Sequence, residues 1–320
     1  MKVGLLTGGG DCPGLNAVIR AVVQHLEGAG HQCIGILEGW RGLVQNMTCP
    51  LSTASTDGII GQGGSILGSS RTNPYRNPDT DLAALRANLQ RNEIDALVVI
   101  GGDDTLGVAL RLKNDFDLSI VGVPKTIDND LMVTDFSFGF DTAVNIVVEA
   151  MDRLRDTASA HERIFVIEVM GRASGAIAVA AGLAGGAEAI LIPEVPVDYD
   201  LIADRLIKSR ARGKRHSLVV AAEGAGGARP AVAAIASRTG FEVRMTILGH
   251  LQRGGPPTAA DRILGGQLGC QAVQGLAGGA TGILVGIYHG TPREIPLGEA
   301  ANRKQNPDLA LADLAEVLAI

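Results

Sequence analysis

The stretch from Ala96 to Leu131, ALVVIGGDDTLGVALRLKNDFDLSIVGVPKTIDNDL, constrains the fold of this chain more than any other. Leu97–Ile100 is a short, continuous apolar run, the pattern of a strand buried on both faces. It stops at Gly101-Gly102, where the backbone can turn sharply; Asp103, Asp104 and a helical pattern over Thr105–Leu112 follow. A second buried strand, Ile120–Val123, ends at Pro124, ahead of Lys-Thr-Ile-Asp-Asn-Asp at 125–130. Two strands joined by a crossover helix belong in a parallel sheet. Their acidic loops then meet outside the carboxyl ends of the strands, where ligands bind. Four carboxylates, those of Asp103, Asp104, Asp128 and Asp130, are expected to converge there. So many like charges require a metal ion, a basic side chain, or both. The chemistry that combines carboxylates, Mg2+ and a lysine is most often phosphoryl transfer.

With 320 residues the chain can form one large α/β domain or two ordinary ones, and 46% apolar residues allow a sizeable core. The 43 glycines suit many tight strand-to-helix turns. Nucleic-acid binding is disfavoured, because aromatics are only 3% and the net charge is −6. Cys12, Cys33, Cys49 and Cys270 show neither CxxC spacing nor paired histidines, which argues against a zinc site or a disulfide framework. The N-terminus reaches glycines before a signal-peptide core can form, and no apolar run approaches the ~20 residues of a membrane span. The expected setting is a reducing cytoplasm, with no membrane partner.

Val3–Thr7 reads as a strand, Gly8–Gly14 as a loop and Asn16–Glu27 as a helix whose amino end offers an anion site. The loop is not a Walker A motif, since no Gly-Lys-Ser/Thr closes it. Nor is it the dinucleotide fingerprint, because Pro13 holds the third glycine position. Gly61–Ser70, rich in Gly and Ser and followed by Arg71, reads as a mobile loop with a cation at its end or, more simply, as a surface loop with a solvated arginine. In the second half, strands are expected at Ile164–Val169, Ala189–Ile192, Leu218–Ala222, Val243–Leu248 and Ile283–Ile287, alternating with helices. Such alternation predicts parallel sheets covered by helices.

Gly10, Asp103, Asp128, Arg172, Glu223 and Arg253 all fall just after an expected strand. Each has an ordinary explanation: Asp103 or Asp104 as a helix cap, residues 128–130 as an Asx turn, His250 as a packed histidine. Six such positions on one sheet edge make coincidence a poor account.

Taken together, these residues resemble the 6-phosphofructokinase family along nearly the whole chain. The resemblance is carried by Gly-Gly-Asp-Cys-Pro-Gly-Leu-Asn (9–16), Gly-Gly-Asp-Asp-Thr (101–105), Pro-Lys-Thr-Ile-Asp-Asn-Asp (124–130), Met-Gly-Arg (170–172) and Leu-Gly-His-Leu-Gln-Arg-Gly-Gly (248–255). It implies an α/β fold of two doubly wound lobes with mainly parallel sheets and the active site in the cleft between them. The implied lobes are discontinuous: residues 1–139 with 252–302 for the phosphoryl donor, and 140–251 with 303–320 for the sugar phosphate. By the same resemblance Asp128 is the general base for the sugar 1-hydroxyl, Asp103 holds Mg2+, and Gly10 and Arg71 contact the donor. Thr126 and Arg172 contact the transferred group and the sugar phosphate. Met170, Gly171 and Glu223 look like sugar contacts, and Ile127, Leu251 and Gln252 look like further substrate-binding residues. Arg163, Arg244, His250 and Arg253 look like the pocket for the 6-phosphate. The counterparts of Arg163 and Arg244 reach across a subunit interface, which implies a homodimer or homotetramer with shared active sites.

Two positions depart from the ATP-dependent branch, which has glycine where this chain has Asp104 and Lys125; that pair resembles the pyrophosphate-dependent branch. The bacterial effector site matches poorly, with Arg20 in place but Gln24 where a basic residue is expected. The implied activity is reversible glycolytic transfer from pyrophosphate to fructose 6-phosphate, yielding phosphate, with ATP as the alternative donor. An NAD or lipid kinase would account only for residues 101–105. A non-catalytic phosphosugar sensor would have no use for Asp128.

Overall fold

The computed structural model describes residues 1–132, 134–300 and 306–318. The first elements are β1 (Lys2–Thr7), α1 (Leu15–Gly28), β2 (Gln32–Ile36), α2 (Trp40–Gln45), β3 (Thr48–Leu51), α3 (Pro78–Arg91), β4 (Ala96–Gly101), α4 (Asp103–Phe116) and β5 (Ser119–Pro124). The middle of the chain is α5 (Phe140–His161), β6 (Ile164–Val169), α6 (Ala176–Ala184), β7 (Ala189–Leu191), α7 (Tyr199–Ala211), β8 (Ser217–Ala222), α8 (Ala228–Thr239) and β9 (Val243–Ile247). The last are α9 (Ala259–Ala277), β10 (Ile283–Tyr288), β11 (Thr291–Pro296), α10 (Leu297–Ala300) and α11 (Leu309–Leu318).

These elements fall into two compact units. The first takes Met1–Thr126, Leu131–Gly139 and the chain from Arg253 through α10; the second takes Ile127–Asp130, Phe140–Gln252 and α11. The expected lobe change at 302–303 lies outside the described residues.

Unit 1 is built on a seven-stranded sheet of order β11-β10-β5-β4-β1-β2-β3. The five central strands are parallel; β3 and β11 close the two edges antiparallel. All six residues of β4 are buried, which is why its sequence is an unbroken apolar run rather than an alternating one. One face packs Leu6, Leu97, Val99, Ile120 and Leu284 against Trp40, Leu43, Leu85, Leu106 and Leu112. Helices α1 and α9 pack on each other and against strands of this sheet. Their close approach depends on small residues. A Cβ on Gly269 of α9 would lie 2.8 Å from Ala21 Cβ and 2.9 Å from Val18 O of α1.

Unit 2 has a four-stranded, all-parallel sheet of order β7-β8-β6-β9. Its core joins Ile164, Val166, Leu191, Val219 and Ala221 of the strands to Ile202 and Leu206 of α7 and Ala231 and Ile235 of α8. The fold class is therefore α/β with mainly parallel sheets. Among the described residues no helix is long and apolar enough to cross a membrane.

Candidate active site

In unit 1 the connection from β1 runs to β2 on one side, while that from β4 runs to β5 on the other. The carboxyl ends of β1 and β4 therefore flank the point where strand order reverses, the place where open α/β sheets bind ligands. Thr7 pairs with Ile100, and Gly8 N donates to Ile100 O at 2.9 Å, so the 8–14 loop and the Gly101–Asp104 turn start side by side.

Three successive carbonyls of the 9–11 loop are held by donors from three distant segments. Ser69 Oγ donates to Gly9 O at 2.5 Å, Lys125 Nζ donates to Gly10 O, and Arg253 Nη1 donates to Asp11 O at 3.1 Å. Lys125 is buried, so its ammonium is not the solvated group that an ordinary surface lysine would present. Sequence reasoning groups Arg253 with His250 in a phosphate pocket. Its guanidinium here lies on the 9–11 loop, where a Cβ on Gly10 would meet Nη1 at 2.8 Å. Cys12, in the same loop, is an inert thiol: burial pushes its pKa up to about 12.

Helix α4 begins at Asp103, two residues earlier than the sequence pattern indicates, and its N-cap Gly102 makes no side-chain cap. Asp103 and Asp104 thus occupy the first helical turn, and both are exposed. Carboxylates there are favoured by the helix dipole by roughly 0.3–1 kcal/mol each. Capping does not explain them.

In unit 2, Met170–Arg172, Glu223 and Leu248–Gln252 follow the adjacent strands β6, β8 and β9. Glu223 Oε1 accepts from Arg172 N at 2.8 Å. Gln252 is fully buried and braces two turns: its Oε1 accepts from Met170 N at 3.2 Å, and its Nε2 donates to Gly249 O at 3.0 Å. Arg172 holds a positive φ of 53°, an uncommon conformation for a side-chain-bearing residue and one that collects at functional sites. Its Nε lies 3.8 Å from Oδ2 of the buried Asp128, while most of the guanidinium side chain is exposed. Ile127, Asp128 and Asp130 are buried; His250 and Leu251 are exposed.

Arg163 and Arg244 are not brought to these residues within one chain. Arg163 immediately precedes β6 and Arg172 lies beyond its far end, so the six residues of β6, roughly 20 Å, separate them. Arg244 sits beside Phe165, near the amino end of the same sheet. Both arginines pair with Glu242: Arg163 Nε lies 3.0 Å from Oε2, and Arg244 Nη2 contacts Oε1. The Arg163 guanidinium, with Arg244, holds the Glu242 carboxyl below its usual range.

The Gly/Ser-rich segment corrects a sequence expectation. It is not a mobile loop but a strap pinned along its length. Asn16 Nδ2 donates to Gln62 O at 3.1 Å, and Asn16 Oδ1 accepts from Ile66 N at 2.9 Å. Thr7 Oγ1 donates to Gly68 O at 2.6 Å, and Ser70 Oγ donates to Glu38 O at 2.6 Å. Arg71, exposed, follows this strap. Sequence reasoning passed over Thr7, Ser69 and Glu242. For Thr7 and Ser69 the one available signal was position, beside a glycine loop that follows a buried strand.

Comparison with known proteins decides the family. The Phosphofructokinase family model matches residues 2–276. The chain belongs to the phosphofructokinase family. It is 49% identical to an ATP-dependent 6-phosphofructokinase 1 of Thermus thermophilus, over 100% of this chain and 99% of that one. It is also 47% identical to a pyrophosphate–fructose 6-phosphate 1-phosphotransferase of Amycolatopsis methanolica, over 94% of each. Among solved structures, yeast phosphofructokinase matches with a TM-score of 0.86 and 31% identity over 100% of this chain. The chain spans 48% of that yeast chain. A pyrophosphate-dependent phosphofructokinase of Marinobacter aquaeolei shares the fold, with a TM-score of 0.87 and 23% identity over 99% of this chain and 90% of that one.

Among the described residues no group of three or more His, Cys, Asp and Glu side chains is placed to hold a metal. Mg2+ typically uses one or two carboxylates plus substrate phosphates and water, so the exposed Asp103 at the head of α4 fits as a single protein ligand.

Proposed function

We propose that this chain transfers a phosphoryl group reversibly from pyrophosphate to the 1-hydroxyl of fructose 6-phosphate, giving fructose 1,6-bisphosphate and phosphate. The observation that carries the donor assignment is Lys125, a buried lysine whose ammonium reaches the Gly10 carbonyl of the donor loop. Pyrophosphate lacks the adenosine that helps to hold ATP, and a lysine beside the loop offers a positive charge in its place. Asp104 acts against ATP. A carboxylate and an α-phosphate oxygen 4 Å apart repel by roughly 4 kcal/mol at an effective dielectric of 20.

In the reaction, the 1-hydroxyl oxygen bonds to the terminal phosphorus, the bond to the departing phosphate breaks, and the hydroxyl proton passes to the Asp128 carboxylate. Phosphoryl transfer depends mainly on positioning and charge neutralisation, which is the work assigned to Arg172, Lys125 and Arg71. Bound at Asp103, Mg2+ would neutralise phosphate oxygens of the donor. Thr126, Met170, Gly171, Glu223 and His250 orient the sugar phosphate, and Gln252 fixes the turn that carries Met170.

ATP is the competing donor, favoured by the 49% identity to the Thermus enzyme. An assay with fructose 6-phosphate and Mg2+, comparing pyrophosphate with ATP, decides. The expected result is strong turnover with pyrophosphate, little with ATP, and reverse reaction with inorganic phosphate. Efficient ATP use with pyrophosphate inert would overturn the donor assignment and leave the phosphofructokinase activity standing.

A further inference from the structure

The donor loop is clasped at Gly9 by a dipeptide with no assigned role. Gly9 N donates to Ser70 O at 3.0 Å, and Gly9 O accepts from Ser69 Oγ at 2.5 Å. Both polar groups of this glycine, which holds a φ of +81°, are thus committed to residues 69–70. In a planar trans peptide the C=O and the following N–H point in opposite directions. Anchoring Gly9 O therefore turns Gly10 N–H away from Ser69. Lys125 on Gly10 O and Arg253 on Asp11 O do the same for the next two N–H groups. Three consecutive N–H groups with fixed orientation can make an anion-binding concavity. Of the three anchors, two are cations and one is a neutral hydroxyl.

We infer that Ser69 is a positioning residue for the phosphoryl donor: its hydroxyl sets the Gly9–Gly10 peptide so that Gly10 N–H meets a donor phosphate. The inference rests on the reading of the 8–11 loop as the donor site. Ser69 itself touches neither substrate. Its removal should weaken donor binding and leave the sugar phosphate alone, whereas a merely structural tie would alter both substrates or only thermal stability.

The test is steady-state kinetics of Ser69→Ala, with both substrates varied, beside calorimetric binding of magnesium pyrophosphate and of Mg-ATP to the same protein. Loss of one such hydrogen bond should raise the donor KM about three- to tenfold and leave the fructose 6-phosphate KM within about twofold. Ser69→Cys keeps the volume and a weak donor, and should give a smaller rise confined to the donor. An unchanged donor KM in folded Ser69→Ala, or equal rises for both substrates, would overturn the inference. Were Ser69→Ala to unfold, a donor KM in Ser69→Cys equal to wild type would overturn it equally. Wild-type protein that binds neither donor refutes this inference and the proposed donor site together. Wild-type protein that binds a donor but does not phosphorylate fructose 6-phosphate refutes the activity alone; weaker donor binding by Ser69→Ala then still supports the inference.

Discussion

Asp128 is a buried carboxylate 3.8 Å from the Nε of Arg172, a mostly exposed residue that has a positive φ and donates its backbone N–H to Glu223. The proposed base is thus fixed by the protein, while its partner can turn toward a phosphate. Replacing Asp128 with Asn keeps the shape and removes the proton acceptor. The expected outcome is a fall in kcat of ~10²–10⁴-fold, the usual contribution of a general base. Calorimetry should show fructose 6-phosphate binding largely intact. Near-normal kcat in this variant would remove Asp128 from the mechanism. The position of Asp128 was legible in the sequence because it follows a recognisable buried strand, β5. Ser69 was not, because it acts through a backbone carbonyl 60 residues away.

At the level of elements, the seam between α1 and α9 puts two ordinary rules in opposition. Gly269→Ala would gain about 0.8–1.0 kcal/mol in intrinsic helix propensity. The added methyl, however, would sit 2.9 Å from the Val18 carbonyl, a backbone atom that cannot rotate aside. Overpacking of this kind costs about 1–3 kcal/mol. The variant should therefore have a lower unfolding midpoint in urea; an increase would mean that the helices separate at no cost.

Element legibility follows burial. Strands β4, β5 and β8 are continuous apolar runs because both faces are covered, and the sequence reading places them within a residue or two. Edge strands β3 (TCPL) and β11 (TPREIP) escaped it: they carry prolines, are partly or largely exposed, and form half a pattern at most. The strap at 61–70 was misread for a related reason. Its Gly and Ser composition describes a segment without order of its own, and its order comes from Thr7, Asn16 and Glu38, which no local pattern can reveal.

For the whole molecule, the two ends of the β6 sheet carry different halves of the expected sugar-phosphate pocket. Arg163 and Arg244 lie at the amino end, and Met170, Arg172 and Glu223 at the carboxyl end. One copy of the sheet cannot bring both to a single ligand, so a pocket that uses both halves would need a second subunit. Mixing inactive Asp128→Asn subunits with inactive Arg244→Ala subunits should then restore part of the activity, because some hybrid sites contain both intact groups. A fully active monomer in sedimentation would refute this.

The interleaving of the two units also bears on how the chain is made. The sheet β7-β8-β6-β9 lies wholly between residues 164 and 247, and every strand it needs has been synthesised by then. The other sheet begins at Lys2 yet waits for β10 and β11, and its helix α1 waits for α9. On the ribosome, where domains generally fold as they emerge, the sheet that starts first is completed last. Through most of synthesis α1 therefore carries an uncovered apolar face, a surface on which a chaperone could act.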